Sequence, residues 1–413
     1  MRAQLAWTLV TELCVAIAGI LLLKVAASLL GAVGFGEYAL SRRAIGLMYL
    51  PLVLGLGIAA PRYIAIARAG AMAGYSESSF ATATLAAGLI PTLAVVALLN
   101  LAPEWASLIL FGTESLARLI PAATLALAGI ALHSVVYAIY RGRSEMVFAN
   151  TMQIIDIAVI PLAAFALVRS DAASVLAATG TGWLIVSGVA LLQVLYRGRG
   201  GSSEAATLRE HLRVLLRFGL PRVPGEFALV GLFAIPALIA VRTHGILVAG
   251  QFSAALSVLT MVSSAFAPVG LVILPRASAQ VATGDIAGLK HLTLRLLGGG
   301  ILLATAGVIV GELVIPPFVR WYFGEPFLPA IPVFRACLIG AIPYAIYILM
   351  RSILDALDVK ALNSRNLLIA LAVVVVLSLA SSAILWMSFS LVVALAVLAA
   401  LTLRDTYARL KAP

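Results

Sequence analysis

Between Trp7 and Leu403 the chain is a succession of apolar runs, each near the length of a membrane crossing and joined to the next by a short polar link. A spanning helix needs about 20 predominantly apolar residues. Twelve such runs can be placed, at 7–33, 39–61, 79–101, 118–140, 146–168, 173–195, 220–242, 246–274, 292–315, 330–352, 366–385 and 387–403. They leave no room for a soluble domain. The last two are short, and only a tight link at Met387-Ser388-Phe389-Ser390 separates them. Composition agrees, with 63% of the 413 residues hydrophobic and 11% charged, where an ordinary soluble domain is roughly 25% charged. The run that follows Met1-Arg2-Ala3-Gln4 extends to about Leu30. That exceeds the roughly 7–15 apolar residues of a cleavable signal, so a retained first helix is expected.

The pattern repeats. Gly36-Glu37-Tyr38 opens a run that closes on Pro61-Arg62, and Gly250-Gln251-Phe252 opens one that closes on Pro275-Arg276, a shift of 214 residues. Gly70 and Gly284 keep that spacing, and Phe111-Gly112 answers Phe323-Gly324. Long internal repeats mark transporter folds built from two related bundles. The turn-rich stretch Arg197-Gly198-Arg199-Gly200-Gly201-Ser202-Ser203 divides the halves. It predicts one six-helix lobe over 1–200 and a second over 201–413. The second lobe would open with a basic amphipathic helix, in which Leu208, Leu212, Leu215 and Leu216 recur at helical spacing among Arg209, Arg213 and Arg217. Such a helix can lie on the inner leaflet, where anionic lipids attract each Lys or Arg by about 1 kcal/mol.

Charge orients the chain. With the N-terminus cytoplasmic, most of the 28 Lys and Arg fall in inner segments. The exceptions are Lys24, Arg42, Arg43, Arg118, Arg169, Arg242, Arg320 and Arg335. This bias places both termini in the cytoplasm, which makes the halves parallel repeats. The formal charge of +11 is thus explained by a membrane, and no nucleic-acid partner is expected. Cys14 and Cys337 fall within spans, implying neither a disulfide framework nor a metal site. Trp105 with Phe111, and Phe318, Trp321, Tyr322, Phe323 and Phe327, make two outer loops aromatic. Interfacial belts favour such residues, and sugar stacking is the other reading.

Catalytic motifs are missing from the sequence. His133, His211, His244 and His291 are isolated from one another, with no metal-ligand spacing, phosphate loop or nucleophile motif. The chain reads as no enzyme and as needing no cofactor. What remains is charge inside the membrane, which tends to face a bundle interior or a wet cavity. Lys24 lies in the outer half of the first span, and Arg42 and Arg43 at the outer end of the second. They can line a path for an anionic substrate or snorkel to headgroups. Adjacent helical residues point about 100° apart, so at most one of Arg42 and Arg43 faces a cavity squarely. Arg62 and Arg276 hold equivalent places after a proline at inner span ends, where they can receive a phosphate or simply anchor the helix.

On the fifth span Asn150, Gln153 and Asp156 recur at steps of three, a polar stripe with the acid near mid-membrane. Asp156 can carry a proton or bind sodium, or be paired within its lobe. Arg222 and Glu226, four residues apart, open a seventh span interrupted by Pro221, Pro224 and Pro236. Glu12 is a further acid in the first span. H+ or Na+ coupling through these acids is the one cofactor-like expectation.

Taken in order, several pieces resemble the Wzx-type polysaccharide flippases of the multidrug/oligosaccharidyl-lipid/polysaccharide exporter superfamily. They are Gly34-Phe35-Gly36-Glu37-Tyr38, Gly55-Leu56-Gly57-Ile58-Ala59-Ala60-Pro61-Arg62-Tyr63, Gly219-Leu220-Pro221-Arg222-Val223-Pro224-Gly225-Glu226, Gly250-Gln251-Phe252, Leu274-Pro275-Arg276 and Tyr322-Phe323-Gly324. The resemblance implies an all-α integral membrane protein, with two parallel six-helix repeats around a central cavity. It implies transfer of a polyprenyl-pyrophosphate-linked oligosaccharide across a bacterial inner membrane by alternating access. Membrane lipids, a polysaccharide polymerase and chain-length proteins would be its other partners. By the same resemblance Lys24, Arg42, Arg43, Arg222, Arg242 and Arg276 are substrate-binding candidates. The chain departs from the family at Ile235-Pro236-Ala237, where many relatives carry an acidic–basic pair. A cation-coupled drug exporter of the same superfamily and a glycan polymerase or ligase are the alternatives.

Overall fold

A computed structural model describes residues 2–168, 171–197, 206–357 and 362–411. In chain order its helices are α1 Arg2–Leu52, α2 Leu56–Arg68, α3 Glu77–Leu101, α4 Pro103–Phe111, α5 Ile120–Gly142, α6 Met146–Gln153, α7 Ile160–Val168, α8 Ala172–Arg197 and α9 Leu208–Gly219. They continue with α10 Val223–Ala282, α11 Ile286–Tyr322, α12 Ile331–Ile339, α13 Ala341–Leu357, α14 Leu362–Ala380 and α15 Ile384–Lys411. Ten helical segments among the described residues are long and apolar enough to cross a membrane. Leu101, Leu167, Leu302 and Leu313 are each more than 70% exposed. Apolar exposure on that scale would be a liability in water and is what lipid requires.

Two of the longest helices are broken at glycines. Gly31 in α1 has φ 64° and ψ −175°, and Gly245 in α10 has φ 77° and ψ 178°. This region of backbone space is essentially reserved for glycine. The two breaks are again 214 residues apart, and Gly70 and Gly284, at φ 70° and 73°, repeat the relation. Gly112 and Gly324 also take positive φ, and each is followed by a short 3-10 helix, Glu114–Leu119 and Glu325–Ala330. The spacing read from the letters therefore recurs in the backbone conformation of these glycines.

Four spans differ from expectation. The second is interrupted at Val53-Leu54-Gly55, just after Pro51, and resumes as α2 as far as Arg68. The fifth covers 146–168 as predicted, but Ile154–Val159 winds as a π-helix. The last two helices part at Ser381-Ser382-Ala383, not at Met387–Ser390. Ser388 and Ser390 return their hydroxyls to the carbonyls of Ile384 and Trp386, at 3.1 and 2.8 Å, and so sit inside α15. With 28 residues α15 is long enough to cross. At its C-terminal end Asp405 accepts from Arg365 at 2.6 Å, Asn366 at 2.9 Å and Arg404 at 3.0 Å, tying α14 to α15.

The described chain forms two compact units, Met1–Phe227 and Ala228–Pro413. Gly198 to Ser203, the expected link, lie outside the described residues. In the first unit the core gathers Leu56, Ile64, Phe80, Val135, Tyr140 and Leu215. Leu215 belongs to α9, so the amphipathic helix packs Leu212, Leu215 and Phe218 against protein, while Leu208, Arg209, Arg213 and Arg217 stay exposed. His211 is buried between Tyr75 and Phe80, with ring centres 4.9 and 4.6 Å away. The second unit centres on Phe266, Ala277, Leu289, Leu349, Met350 and Ile353. The outer aromatic residues divide: Trp105 and Trp321 are exposed, whereas Phe111, Tyr322, Phe323 and Phe327 are buried.

Candidate functional site

The site begins with two glycines. A Cβ on Gly180 of α8 would lie 2.6 Å from the amide nitrogen of Ala126 on α5, and one on Gly129 would lie 2.8 Å from the Gly180 carbonyl oxygen. With no side chains between them the two helices touch backbone to backbone. That approach brings His133, one turn beyond Gly129, and Trp183 and Ser187, one and two turns beyond Gly180, against the π-helix that carries Asp156.

Asp156 is fully buried. Its Oδ2 accepts from Ser187 Oγ at 2.9 Å and lies 2.6 Å from His133 Nδ1. The other ring nitrogen, Nε2, is 2.9 Å from Gln153 Oε1, and Tyr137 stacks on the ring at 5.6 Å. A histidine facing two acceptors must donate from both nitrogens, whereas a half-turn of the Gln153 amide would offer a donor and suit a neutral ring. Asp156 Oδ1 has no hydrogen-bond partner among the described residues. Six residues earlier the buried Asn150 donates to Thr8 Oγ1 on α1 at 3.0 Å.

The π-helix has a local consequence. Ile160 N–H bonds to the Ile155 carbonyl, the i→i−5 pattern. In that pattern the next carbonyl, Asp156 O, would need the N–H of residue 161, which is Pro161 and has none. The indole Nε1 of Trp183 donates to Asp156 O instead. Replacing Trp183 with phenylalanine is expected to strand that carbonyl and cost about 1–3 kcal/mol. The check is the melting of purified protein in detergent, where a variant as stable as the native chain would refute this account.

Trp183 also walls a cavity of about 180 Å³ inside the first unit, together with Tyr38, Arg42, Tyr49, Ile157 and Thr179. The Arg42 guanidinium lies 5.7 Å above the Tyr38 ring. The Tyr49 hydroxyl pairs with Ser134 Oγ at 2.5 Å, next to His133 in sequence. Of the two adjacent arginines, Arg42 faces the cavity and Arg43 is half-buried elsewhere. The cavity and the acid cluster share a wall, because Trp183 and Ile157 belong to both.

The structure brings Arg42 and Asp156 into one neighbourhood. Glu226 is close by, lining a smaller cavity with Tyr49, Val53 and Gly55. Lys24 is half-buried on α1 and Glu12 is exposed there; neither lines the cavity. In the second unit Arg242 and Arg276 are exposed. Arg222 does not reach forward to Glu226: its Nη1 donates back to the Phe218 carbonyl at 2.5 Å. Among the described residues no three His, Cys, Asp or Glu are grouped to hold a metal ion. Sequence reasoning missed His133, Ser187 and Trp183. Their signal was faint, single polar or amphipathic residues within apolar spans, and pairing appears only when α5, α8 and the π-helix are in register.

Helices long enough to span a bilayer, a buried acid–histidine cluster and a cation-walled cavity define an α-helical membrane transporter. The chain belongs to the polysaccharide biosynthesis protein family, whose model matches residues 1–280. It is a transporter of the flippase type, serving polysaccharide biosynthesis. Among solved structures it resembles an inward-facing multidrug resistance MATE family transporter of the MOP superfamily, at 15% identity and TM-score 0.74, covering 96% of this chain and 98% of that one. A eukaryotic MATE transporter aligns at 13% identity and TM-score 0.67, over 99% and 98% of the two chains. A MOP superfamily transporter from Pyrococcus furiosus aligns at 13% identity and TM-score 0.62, over 99% and 94%. At such identities the likeness is one of fold. No curated protein sequence matches.

Proposed function

We propose that the chain moves a polyprenyl-pyrophosphate-linked oligosaccharide from the inner to the outer leaflet of a bacterial inner membrane by alternating access. The observation that carries this reading is Arg42 on the wall of the first unit's cavity, beside Tyr38, Tyr49 and Trp183. A guanidinium suits a pyrophosphate, and aromatic faces with polar edges suit sugar rings. The cavity takes part of such a headgroup, while the polyprenyl tail stays in lipid. Breaks at Gly31 and Gly245 divide two of the ten apolar segments, which supports twelve crossings in two parallel six-helix repeats, with both termini cytoplasmic.

Coupling fits the same unit. Asp156, held by His133 and Ser187, is the group we assign to proton uptake, with Glu226 and Glu12 as the other acids and Na+ as the other ion. A polymerase and chain-length proteins would consume the glycan on the far side.

The test is transfer of a fluorescent lipid-linked oligosaccharide in liposomes. Native protein is expected to accelerate it, and Arg42→Ala to slow it about tenfold, the worth of a charge-assisted hydrogen bond. No acceleration by native protein overturns the function. Unchanged transfer by Arg42→Ala, and by the triple variant that also replaces Lys24 and Arg43, keeps the function and removes the site.

A further inference from the structure

At the end of α9, away from the cavity, two arginines share one aromatic ring. The guanidinium carbon of Arg222 is 3.9 Å from the centre of Phe218, and that of Arg62 is 4.8 Å from the same point. Tyr63 meets Phe218 edge-on at 5.7 Å and holds the ring in place. The arrangement is built from the backbone upward. Gly55, at φ 69°, lies so close to Gly219 that a Cβ on it would be 2.4 Å from the Gly219 carbonyl oxygen. Side chains at those two positions would push α9 away from α2 and separate the arginines.

Neighbouring arginines show what an anchoring role looks like. Arg143 donates to Glu77 at 2.6 Å and Arg68 lies 3.9 Å from the same carboxylate. Arg62 and Arg222 differ: among the described residues neither guanidinium is engaged by an acid. Arg222 spends one N–H on the Phe218 carbonyl, leaving most of its five donors. Like charges gathered on one ring repel, so an anion between them relieves a cost already built in. Two planar forks can share the oxygens of a phosphate or pyrophosphate, whereas one fork already suffices for a carboxylate. The surroundings point to lipid. Ile58, one turn before Arg62, is 46% exposed and Leu220, beside Arg222, is 50% exposed, apolar side chains of the kind a bilayer covers.

We propose that Arg62 and Arg222, gathered on Phe218, form a receptor for a lipid-borne phosphate at the cytoplasmic face of the first unit. Its sidedness and its role as the first contact of a lipid-linked glycan rest on the transport reading above; the clamp itself rests on geometry.

The test uses the full chain in phosphatidylcholine nanodiscs, titrated with polyprenyl pyrophosphate, with phosphatidylglycerol and with inorganic pyrophosphate in separate arms. Arg62→Gln and Arg222→Gln are each expected to weaken polyprenyl pyrophosphate binding about tenfold. Phe218→Leu, which keeps every charge, should weaken it as well. Arg213→Gln, which removes a charge from the exposed face of α9, should leave it unchanged. Arg62→Lys guards against misfolding: it preserves the charge and should bind better than Arg62→Gln while melting like the native chain. Losses confined to the clamp variants support the receptor. If phosphatidylglycerol binds equally well through the same residues, the occupant is bulk anionic lipid; if only the polyprenyl pyrophosphate does, it is the glycan carrier. Native affinity in both Gln variants, or a loss no larger than that of Arg213→Gln, overturns the clamp even where liposome transfer stands. Failed transfer with clamp-dependent phosphate binding overturns the transport reading and leaves the clamp.

Discussion

Replacing His133 with leucine should lower the melting temperature of the chain more than any other single change at a polar side chain. The substitution removes the 2.6 Å contact to Asp156 Oδ2 and leaves Ser187 as that oxygen's partner, with Oδ1 already unpartnered among the described residues. Breaking a buried pair from one side costs about 3–5 kcal/mol, because the remaining group stays desolvated. Replacing both partners with leucine should recover a large part of the loss, since an apolar pair of similar volume is often neutral. Melting of the two single variants and the double variant in detergent forms a cycle that isolates the pair. Strictly additive losses would mean that His133 and Asp156 are neighbours without being partners. Transport should follow a different order, with the double variant stable and still inactive if the pair carries the coupling proton.

Gly180→Val should be comparably severe for a steric reason. The new Cβ would lie 2.6 Å from Ala126 N and 2.8 Å from Ala126 Cα, both backbone atoms that no rotamer can move. The helices must separate, and overpacking of this kind costs about 1–3 kcal/mol and sometimes more. Separation would also draw His133 and Ser187 off the acid, so lost stability and lost transport should appear together. Gly188→Val, on the same helix with nothing within 4 Å of its would-be Cβ, is the control and should melt close to native. If the two glycine variants behave alike, the loss belongs to helix propensity rather than to the contact.

These two residues show where sequence reading stops. The apolar runs located the helices well, and the 146–168 span was found to the residue, because hydropathy is a property of each position alone. The spacing of the positive-φ glycines Gly70 and Gly284 was legible for the same reason, as letters recurring at one shift. Gly31 was harder: the first half has many glycines, and nothing in the letter tells which one takes positive φ. The pairing of His133 with Asp156 depends on how α5 meets α8, a relation set by Gly129 and Gly180 and invisible to motif spacing. Helix α9 misled for a subtler reason. A stripe of leucines flanked by arginines reads the same whether its apolar face meets lipid or protein, and the structure buries Leu215 while leaving Leu208 exposed. Between Arg42 and Arg43 the sequence left a tie, and the phase of α1 after the Gly31 break resolves it.

The wide turn at Ile154–Val159 bears on what the fifth span presents to its neighbours. Helix α14 opens with Asn363 and Asn366 much as the fifth span opens with Asn150 and Gln153, yet it runs to Ala380 in one regular winding. A π-turn houses one residue more than the α-turn it replaces. The extra residue turns everything after Val159 onto a different face from the one a regular winding would give, so the lining contributed by α7 is set by that turn as much as by the order of its side chains.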